Sequence, residues 1–375
     1  MPSHYDVAVV GAGIVGLAHA YHLAKRGLRV VVLERHPKAQ GASVRNFGML
    51  WSIGQPAGDL HALARRSVAI WREVLGASRI DHDPCGSLHL AYHDDEAQIL
   101  AEFIDRHGDE FAAVRLSASE ISARYPAINP HQLRSGMFTP NEINIDARQT
   151  IATLPDWLHH TLGVDFVFGC TVRDFQNPRI TTTLGEWSAP RIVVCTGVDF
   201  RDLAPQAFAT SGLFPCKLQM MRSQAYGDSF RVGTMLAAGL TLRHYRAFAD
   251  CPTLPALCQR LDRDMPEYHQ FGIHVLLSQN ARGEFFIGDT HEYGNAIEPF
   301  DKPDLDELIL RYLRTMVTIP SLHIAARWHG IYIKHPTQAW VVAYPQPGMM
   351  AVTGLGGNGM TLSFGVAERL LAEFV

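Results

Sequence analysis

Short apolar runs and a glycine-rich turn alternate at the start of the chain. Residues 5–10 form an apolar run, a helical pattern follows up to Arg26, and residues 28–33 form a second apolar run that ends at Glu34. Apolar runs of this length, bounded by turn signals, are typical of buried strands. Gly27 stands where a left-handed helix C-cap belongs. The pattern therefore predicts a strand, a helix and a second strand, which together make a βαβ unit.

Glycines occupy three positions in the segment that joins the first predicted strand to the helix. Gly11 permits a tight turn, Gly13 lets the backbone approach a pyrophosphate, and Gly16 lets the helix pack closely on the strand. Glu34, at the end of the second strand, can accept a hydrogen bond from a ribose hydroxyl. Because the glycines stand in the required strand–helix–strand context, the pattern is a complete dinucleotide-binding fingerprint rather than an isolated motif.

The pattern changes in the middle of the chain, where several strands follow one another with few helices between them. We predict strands over residues 217–225, 240–248, 272–279 and 284–289. Strands in succession favour a mostly antiparallel sheet and hence a second domain. Apolar residues at helical spacing predict a helix over residues 304–317, and two strands, a glycine cluster at 354–359 and a final helix close the chain.

Composition and charge exclude several classes of protein. Hydrophobic residues make up 47% of the 375 residues and charged residues 19%, as in a globular protein. The net charge of −4 and the lack of a basic run disfavour nucleic-acid binding. No apolar run reaches the ~18 residues of a transmembrane helix. We therefore expect no nucleic-acid, membrane or obligate protein partner.

The cysteines indicate the cellular compartment of the protein, and the histidines indicate whether it has a metal site. No C-x-x-C pair is present, so the cysteines have the pattern of small buried residues in a reducing compartment. A strand beginning at residue 5 leaves no room for a signal peptide, and we expect a cytoplasmic protein. No metal site is expected, because His89 and His93 stand in a strand and a turn, and His159 and His160 lack nearby carboxylates.

The identity of the nucleotide is open at this point. No second glycine fingerprint follows a strand in mid-chain, which favours one bound dinucleotide and a small substrate that exchanges electrons with it. Arg35, beside Glu34, suits the 2′-phosphate of a nicotinamide cofactor, so an NAD(P)-dependent dehydrogenase is an alternative. The glycine-rich segment 354–359 opens a helix, and a helix N-terminus would stabilise negative charge on a reduced flavin.

Together these features resemble the FAD-dependent oxidoreductases of the D-amino-acid oxidase type, which include glycine oxidase and monomeric sarcosine oxidase. The resemblance covers nearly the whole chain and rests on the fingerprint, the loop 41–49, the segments 215–219 and 327–330, and the glycine-rich end. It implies an FAD site formed by Gly11, Gly13, Gly16, Glu34, Arg35, Ser43, Arg45, Asn46, Val172, Thr196, Gly197, Gly356, Gly357, Asn358, Gly359 and Met360. Sarcosine oxidases attach the flavin through a cysteine near the C-terminal glycines. No cysteine follows Cys258 here, so the implied FAD is non-covalent.

The resemblance also implies a domain organisation. The expected fold class is α/β with antiparallel β, in which a Rossmann-like FAD-binding domain is combined with a discontinuous substrate domain on a mostly antiparallel sheet. The expected FAD-binding domain comprises residues 1–85, 146–214 and 326–375. The expected substrate-binding domain comprises residues 86–145 and 215–325.

One departure from the family pattern concerns the substrate. Glycine and D-amino-acid oxidases carry an arginine shortly after a W-x-G motif, and it binds the substrate carboxylate; here Tyr332 takes its place, two residues before Lys334. A phosphonate can instead accept from several dispersed donors. Segments 45–51 and 53–56 are similar to a subgroup associated with phosphonate catabolism, which oxidises aminophosphonates such as N-methyl-2-aminoethylphosphonate. The implied substrate-binding residues are Met49, Trp51, Arg243, His244, Tyr332 and Lys334.

The expected function is an FAD-dependent amine oxidase that acts on the C–N bond of a small amine, in the first place an aminophosphonate. The expected acceptor is molecular oxygen, and the products are an aldehyde, an amine and hydrogen peroxide. The flavin carries the chemistry, so no catalytic side chain is named. An amino-acid or sarcosine-type oxidase or dehydrogenase is an alternative. An NAD(P)-dependent dehydrogenase, and a flavin subunit that passes electrons to a partner protein, also remain open.

Overall fold

The computed structural model describes residues 4–375. Its strands are β1 (Val7–Val10), β2 (Val30–Glu34), β3 (Met49–Leu50), β4 (His82–Asp83), β5 (Ser87–Ala91), β6 (Val114–Ser117), β7 (Ser135–Thr139), β8 (Ile143–Ile145), β9 (Asp165–Phe168), β10 (Val172–Gln176), β11 (Arg179–Thr182), β12 (Gly185–Ser188), β13 (Arg191–Val194), β14 (Phe214–Ala225), β15 (Met235–Ala237), β16 (Leu276–Gln279), β17 (Glu284–Gly288), β18 (Glu292–Tyr293), β19 (Ile324–Lys334), β20 (Val341–Ala343) and β21 (Met349–Thr353).

The α-helices lie between these strands and at the end of the chain. They are α1 (Ile14–Lys25), α2 (Asp59–Ser78), α3 (Asp94–Phe111), α4 (Ala118–Arg124), α5 (Ala147–Leu162), α6 (Pro205–Phe208), α7 (Gly239–His244), α8 (Leu254–Asp264), α9 (Pro266–Gln270), α10 (Pro303–Met316) and α11 (Gly359–Phe374).

Six strands form a mainly parallel sheet in the order β20-β21-β13-β1-β2-β9. β1 lies parallel between β2 and β13, and β21 and β9 extend the parallel arrangement on either side. The edge strand β20 is antiparallel to β21. All residues of β1 are buried, as expected of a parallel strand that is covered on both faces. This sheet, with α1 between β1 and β2, confirms the predicted Rossmann-like unit.

A second, larger sheet has the order β18-β14-β17-β16-β15-β5-β7-β6, and β19 pairs with β14 outside this path. Its neighbouring strands are antiparallel, except that β15 lies parallel to β5. The mostly antiparallel sheet predicted from the sequence is therefore confirmed. Two small three-stranded sheets, β10-β11-β12 and β3-β8-β4, complete the strand arrangement of the described residues.

One predicted strand is wrong. Residues 240–244 belong to helix α7 (Gly239–His244), and a short 3-10 turn follows at Arg246–Phe248. Helices α8 and α9 come next, so this part of the chain is not poor in helices. Gly239, Leu240, Thr241 and Leu242 are all buried. A short apolar segment that is buried on all sides has no amphipathic period, so its pattern cannot separate a strand from a helix.

The limits predicted for the FAD-binding and substrate-binding domains stay predictions. The limit at residue 326 falls inside β19. This strand pairs with β14 along its whole length, with Phe214 opposite Lys334 at one end and Ser223 opposite Ile324 at the other. Helix α10, by contrast, coincides within one residue at each end with the helix expected over 304–317. Within residues 4–375, every helix is too short or too polar to cross a bilayer.

Candidate active site

A cavity of about 590 Å³ is lined by residues of both large sheets. Val10 and Leu33 contribute from the ends of β1 and β2, and Leu218 and Met220 contribute from β14. The loop after β2, the turn after β13, the end of β19 and the start of α11 complete the lining. Because open α/β sheets bind ligands outside the carboxyl ends of their parallel strands, the position matches a nucleotide site.

The glycine turn after β1 has backbone geometry that a side chain would disturb. Gly11 has a φ of +102°, and a Cβ there would lie 2.5 Å from the carbonyl oxygen of Cys195. A Cβ at Gly16 would lie 1.9 Å from the carbonyl oxygen of Gly11. Gly11 and Gly13 line the cavity, whereas Gly16 does not. Gly16 therefore serves the packing of α1 against the turn rather than direct contact with a ligand.

The carboxylate of Glu34 is held in place by backbone donors. Its Oε2 accepts from the N–H of Ala12 at 2.8 Å, and its Oε1 accepts from the N–H of His36 at 2.9 Å. Each carboxylate oxygen has a second lone pair. Glu34 lines the cavity, so it keeps acceptor capacity for a ligand hydroxyl.

Arg35 also lines the cavity, but its charge already has a partner. Its guanidinium forms an ion pair with Asp199, and its Nε lies 3.1 Å from Nε2 of His36. A guanidinium whose charge is already balanced by a carboxylate binds a 2′-phosphate poorly. The ion pair with Asp199 therefore disfavours NADP as the nucleotide.

The loop after β2 is held by its own polar side chains. The Oγ of Ser43 accepts from the N–H of Ile14 at 3.0 Å, which ties the loop to the start of α1. The amide of Asn46 donates to the carbonyls of Ala42 and Ser43. Arg45 donates to the carbonyl of His329 at 3.2 Å. Ser43, Arg45 and Asn46 all line the cavity.

The remaining predicted FAD residues line the same cavity: Val172, Thr196, Gly197, Gly356, Gly357, Asn358, Gly359 and Met360. The hydroxyl of Thr196 is buried and has no hydrogen-bond partner among the described residues. Helix α11 starts at Gly359, so its N-terminal turn belongs to the lining. An unpartnered buried hydroxyl, a glycine cradle and a helix N-terminus fit the FAD that the sequence implies.

Three of the six predicted substrate residues line the cavity, namely His244, Tyr332 and Lys334. Burial raises the pKa of Tyr332 well above its ordinary value, so its phenol stays protonated. The ammonium of Lys334 lies 5.4 Å from the ring centroid of Tyr293. Within residues 4–375, no carboxylate lies within ion-pair distance of Lys334.

The other three predicted substrate residues do not line the cavity. Arg243 forms an ion pair with Asp262 at 2.8 Å. The indole of Trp51 donates to Ser87 and packs edge-to-face on Tyr245, which itself lines the cavity. Met49 is buried in the core, in a strand that pairs with β8. These assignments are corrected: Trp51 supports a wall residue, and Arg243 faces another helix.

A group that the sequence did not indicate also lines the cavity. His274 and His291 join His244, and one nitrogen of each lies within 4.8 Å of the others. Asp289 is buried beside them, with its Oδ1 3.2 Å from Nε2 of His274 but without hydrogen-bond geometry. Burial lowers the pKa of His244 and His274 well below 6.5 and that of His291 to about 3. Burial raises the pKa of Asp289 well above 3.8.

The position of these residues gave a weak signal in the sequence. Asp289 and His291 follow the last residue of β17, and His274 comes two residues before β16. Polar residues at strand ends often face a site. The antiparallel pairing of β16 with β17 sets Leu276 opposite Gly288 and so brings His274 near Asp289 and His291, but nothing local to the sequence adds His244 of α7.

The chain is similar in sequence to known flavin-dependent enzymes. The family described as "FAD dependent oxidoreductase" matches residues 6–373. Among curated proteins, the mitochondrial sarcosine dehydrogenase of Homo sapiens is 28% identical over 217 residues, which are 53% of this chain and 23% of that protein. Monomeric sarcosine oxidase of Bacillus sp. (strain B-0618) is 24% identical over 204 residues, 52% of each chain. The matches thus span about half or less of these relatives' lengths.

Solved structures extend the similarity to the whole fold. Glycine oxidase from Geobacillus kaustophilus superimposes with a TM-score of 0.78 and 21% identity, covering 99% of this chain and 94% of that one. At this identity the likeness concerns the fold.

Proposed function

The chain belongs to the family of FAD-dependent oxidoreductases, and from that premise we propose that it oxidises the C–N bond of a small amine. FAD is its cofactor, and the alternative of an NAD(P)-dependent dehydrogenase is set aside. The amine substrate is supported by relatives named for sarcosine, which match about half of this chain at 24–28% identity.

The cofactor would be held by the glycine turn, Glu34, the loop with Ser43 and Arg45, and the start of α11. When bound, FAD supplies a two-electron acceptor. We propose that it is bound without a covalent bond, because no cysteine follows Cys258. The chain's own residues then have the tasks of orienting the amine and closing the cavity to bulk water. Tyr332, which is 8% exposed, and the buried histidines contribute to that closure.

We further propose that the amine carries a phosphonate group. The observation that carries this proposal is the ammonium of Lys334 on the cavity wall, which has no carboxylate partner within residues 4–375. It lies beside Tyr332, which takes the place of the arginine that a carboxylate would need. A phosphonate accepts hydrogen bonds from donors in several directions, whereas a carboxylate is best bound by a bidentate guanidinium. With oxygen as acceptor, an N-methyl aminophosphonate and water would give an aldehyde, methylamine and hydrogen peroxide.

Oxidation of an ordinary amino acid or of sarcosine is the second candidate, and the names of the relatives favour it. The test is anaerobic mixing of the purified yellow protein with glycine, sarcosine, D-alanine, 2-aminoethylphosphonate and its N-methyl derivative. Bleaching of the flavin absorbance by the aminophosphonates, and slower bleaching by the amino acids, is the expected result. The reverse order would contradict the phosphonate proposal and keep the amine oxidase.

Readmission of air separates an oxidase from a dehydrogenase. Rapid return of the yellow colour with one hydrogen peroxide per turnover is expected of an oxidase. Slow return in air, and fast return with an artificial electron acceptor, would identify a dehydrogenase or a subunit that serves a partner protein.

A further inference from the structure

Three imidazole rings from separate parts of the chain meet at the cavity wall. The ring centroids of His244 and His274 lie 3.8 Å apart, those of His244 and His291 lie 4.6 Å apart, and those of His274 and His291 lie 5.1 Å apart. His274 is 2% exposed and His291 is 4% exposed. His244 is only partly buried. Burying polar rings such as those of His274 and His291 is unfavourable unless their nitrogens find hydrogen-bond partners.

The geometry disfavours a metal ion as that task. A metal binds an imidazole through the lone pair in the ring plane, at about 2.0–2.1 Å for zinc. The rings of His244 and His274 are inclined by 32° at a centroid separation of 3.8 Å, so they largely overlap and their in-plane lone pairs do not converge on one ion at bonding distance. In addition, Nδ1 of His291 already contacts the carbonyl oxygen of Gly272 at 3.0 Å.

The same contact determines what His291 can offer to a ligand. A carbonyl accepts only, so Nδ1 of His291 carries the hydrogen, and Nε2 of the neutral ring has a lone pair. Nδ1 of His274 is buried and has no hydrogen-bond partner among the residues that the structure describes. Each neutral ring has a single N–H, and that of His291 is already donated to Gly272, so every ring that is protonated adds one donor.

The charges that face the cluster come from several elements. Lys334 on β19 lowers the pKa of all three histidines, in addition to the larger effect of burial. Asp289 lies against both His274 and His291, with its Oδ1 3.2 Å from Nε2 of His274 and its Oδ2 3.9 Å from Nε2 of His291, and burial raises its pKa. The other titratable neighbours are Tyr245, Tyr332, Tyr293 and Cys216, whose pKa values burial also raises, so they remain neutral near pH 7.

Building on the proposed function, we infer that His244, His274 and His291, together with Lys334, form a subsite for the dianionic head group of the substrate, and that the head group draws one proton onto the histidines as it binds. Lys334 supplies one positive charge, which balances a monoanion. A dianion brings a second negative charge, and protonation of one ring supplies both its countercharge and a new donor. The proton comes from the solvent, and no other bond changes.

The test uses the FAD-loaded protein and sulfate, which stays a dianion throughout the pH range and cannot itself exchange the proton. Titration calorimetry in two buffers with different ionisation enthalpies gives the number of protons taken up. About one proton per bound sulfate is expected near pH 7. The affinity for sulfate should rise by about tenfold for each pH unit of acidification, because binding and protonation are linked. Acetate, a monoanion, should take up no proton.

Two single substitutions locate the proton. His291→Gln and His274→Gln should each weaken sulfate binding by about tenfold or more and reduce the proton uptake, with the flavin spectrum as the check of folding. His269→Gln is the matched control, because His269 is exposed and lies outside the cavity lining. Sulfate affinity that is independent of pH in the unsubstituted protein, or full proton uptake in both variants, would overturn the inference.

Further outcomes separate this inference from its premises. A stoichiometric metal in the purified protein that is lost in His274→Gln would overturn it in favour of a metal centre. Bleaching by an aminophosphonate without proton uptake would overturn the subsite and leave the proposed function standing. Proton-linked sulfate binding without oxidation of any amine would support the subsite and contradict the proposed function.

Discussion

Arg243 lies 2.8 Å from Asp262, whereas His244, the next residue in the same helix, lines the cavity. Successive side chains of an α-helix point about 100° apart, because the helix has 3.6 residues per turn. The ion pair directs Arg243 towards α8, and the cavity receives an imidazole in its place. Of the three basic residues expected at the substrate, His244 and Lys334 therefore line the cavity and Arg243 does not.

Replacement of Lys334 by methionine should impair binding of a phosphonate-bearing amine. A charge-assisted hydrogen bond contributes about 1.5–3 kcal/mol, so the KM should rise by about one to two decades while the flavin spectrum stays intact. Steady-state peroxide production with N-methyl-2-aminoethylphosphonate measures the change. Methionine is chosen because it keeps the unbranched apolar stem.

Arg243→Met is the matched control for that substitution. Arg243 forms an ion pair with Asp262 and does not line the cavity. Because a partly exposed ion pair contributes little energy, the substitution should change the KM by less than about threefold. An equal loss in both variants would mean that both residues act indirectly, and that Lys334 is not a head-group contact.

Gly13→Val should give a protein with little or no bound FAD. A Cβ at Gly13 would already lie 3.1 Å from the Oγ of Ser43, and the two further methyl groups would enter the space where the backbone approaches a pyrophosphate. The ratio of flavin to protein absorbance after purification is the measurement. Gly76→Val is the control and should remain yellow, because Gly76 lies in the last turn of α2 and a Cβ there would meet no atom of the described residues within 4 Å. Full flavin occupancy in Gly13→Val would contradict the fingerprint assignment.

Acid precipitation should release the flavin into the supernatant. The expectation rests on the absence of any cysteine after Cys258. Absorbance and chromatography of the supernatant identify free FAD. A yellow pellet would instead show a covalent link, and the histidines that line the cavity, such as His335, would be the first residues to examine by peptide mapping.

Glu284→Gln should destabilise the folded protein, in a way that depends on pH. Burial raises the pKa of Glu284, but hydrogen bonds from Asn280 and Arg148, with the charge of Arg222, outweigh burial and hold it below 4.5. A carboxyl with a depressed folded-state pKa stabilises the protein above its unfolded pKa, and that contribution is lost as the pH falls through the folded value. The loss at pH 7 should be about 1.5–3 kcal/mol, as for hydrogen bonds to a charged group.

Thermal unfolding at a series of pH values tests this dependence. The midpoint of Glu284→Gln should lie below that of the unsubstituted protein at pH 7, and the difference should shrink as the pH falls below 4.5. Glu186→Gln is the control, since Glu186 and its partner Arg179 are both more than half exposed. A difference that stays constant down to pH 3 would mean that charge is not the cause.

The nucleotide-binding half of the site could be predicted from residues that are close together in the sequence. Gly11, Gly13 and Glu34 lie within 24 residues. The glycines allow a tight turn and a close backbone approach, and the carboxylate of Glu34 accepts hydrogen bonds, so each task follows from the residue type alone. A strand–helix–strand unit closes with local contacts, so the pattern of apolar residues and glycines was enough to predict it. The same holds for α10, whose single apolar face gives a clear helical period.

The substrate half was decided by the tertiary structure. The β16–β17 pairing brings His274 and His291 together, but His244 joins them only because α7 packs against this end of the two strands. No local pattern records that packing. Their neutral state near pH 7 is likewise a consequence of burial, which the sequence does not display. Arg243 and His244 are neighbours in the chain, yet the pairing of one with Asp262 turns only the other towards the cavity. The direction of a side chain and the polarity of its surroundings depend on contacts between residues that are distant in sequence. Only the folded chain brings those residues into contact.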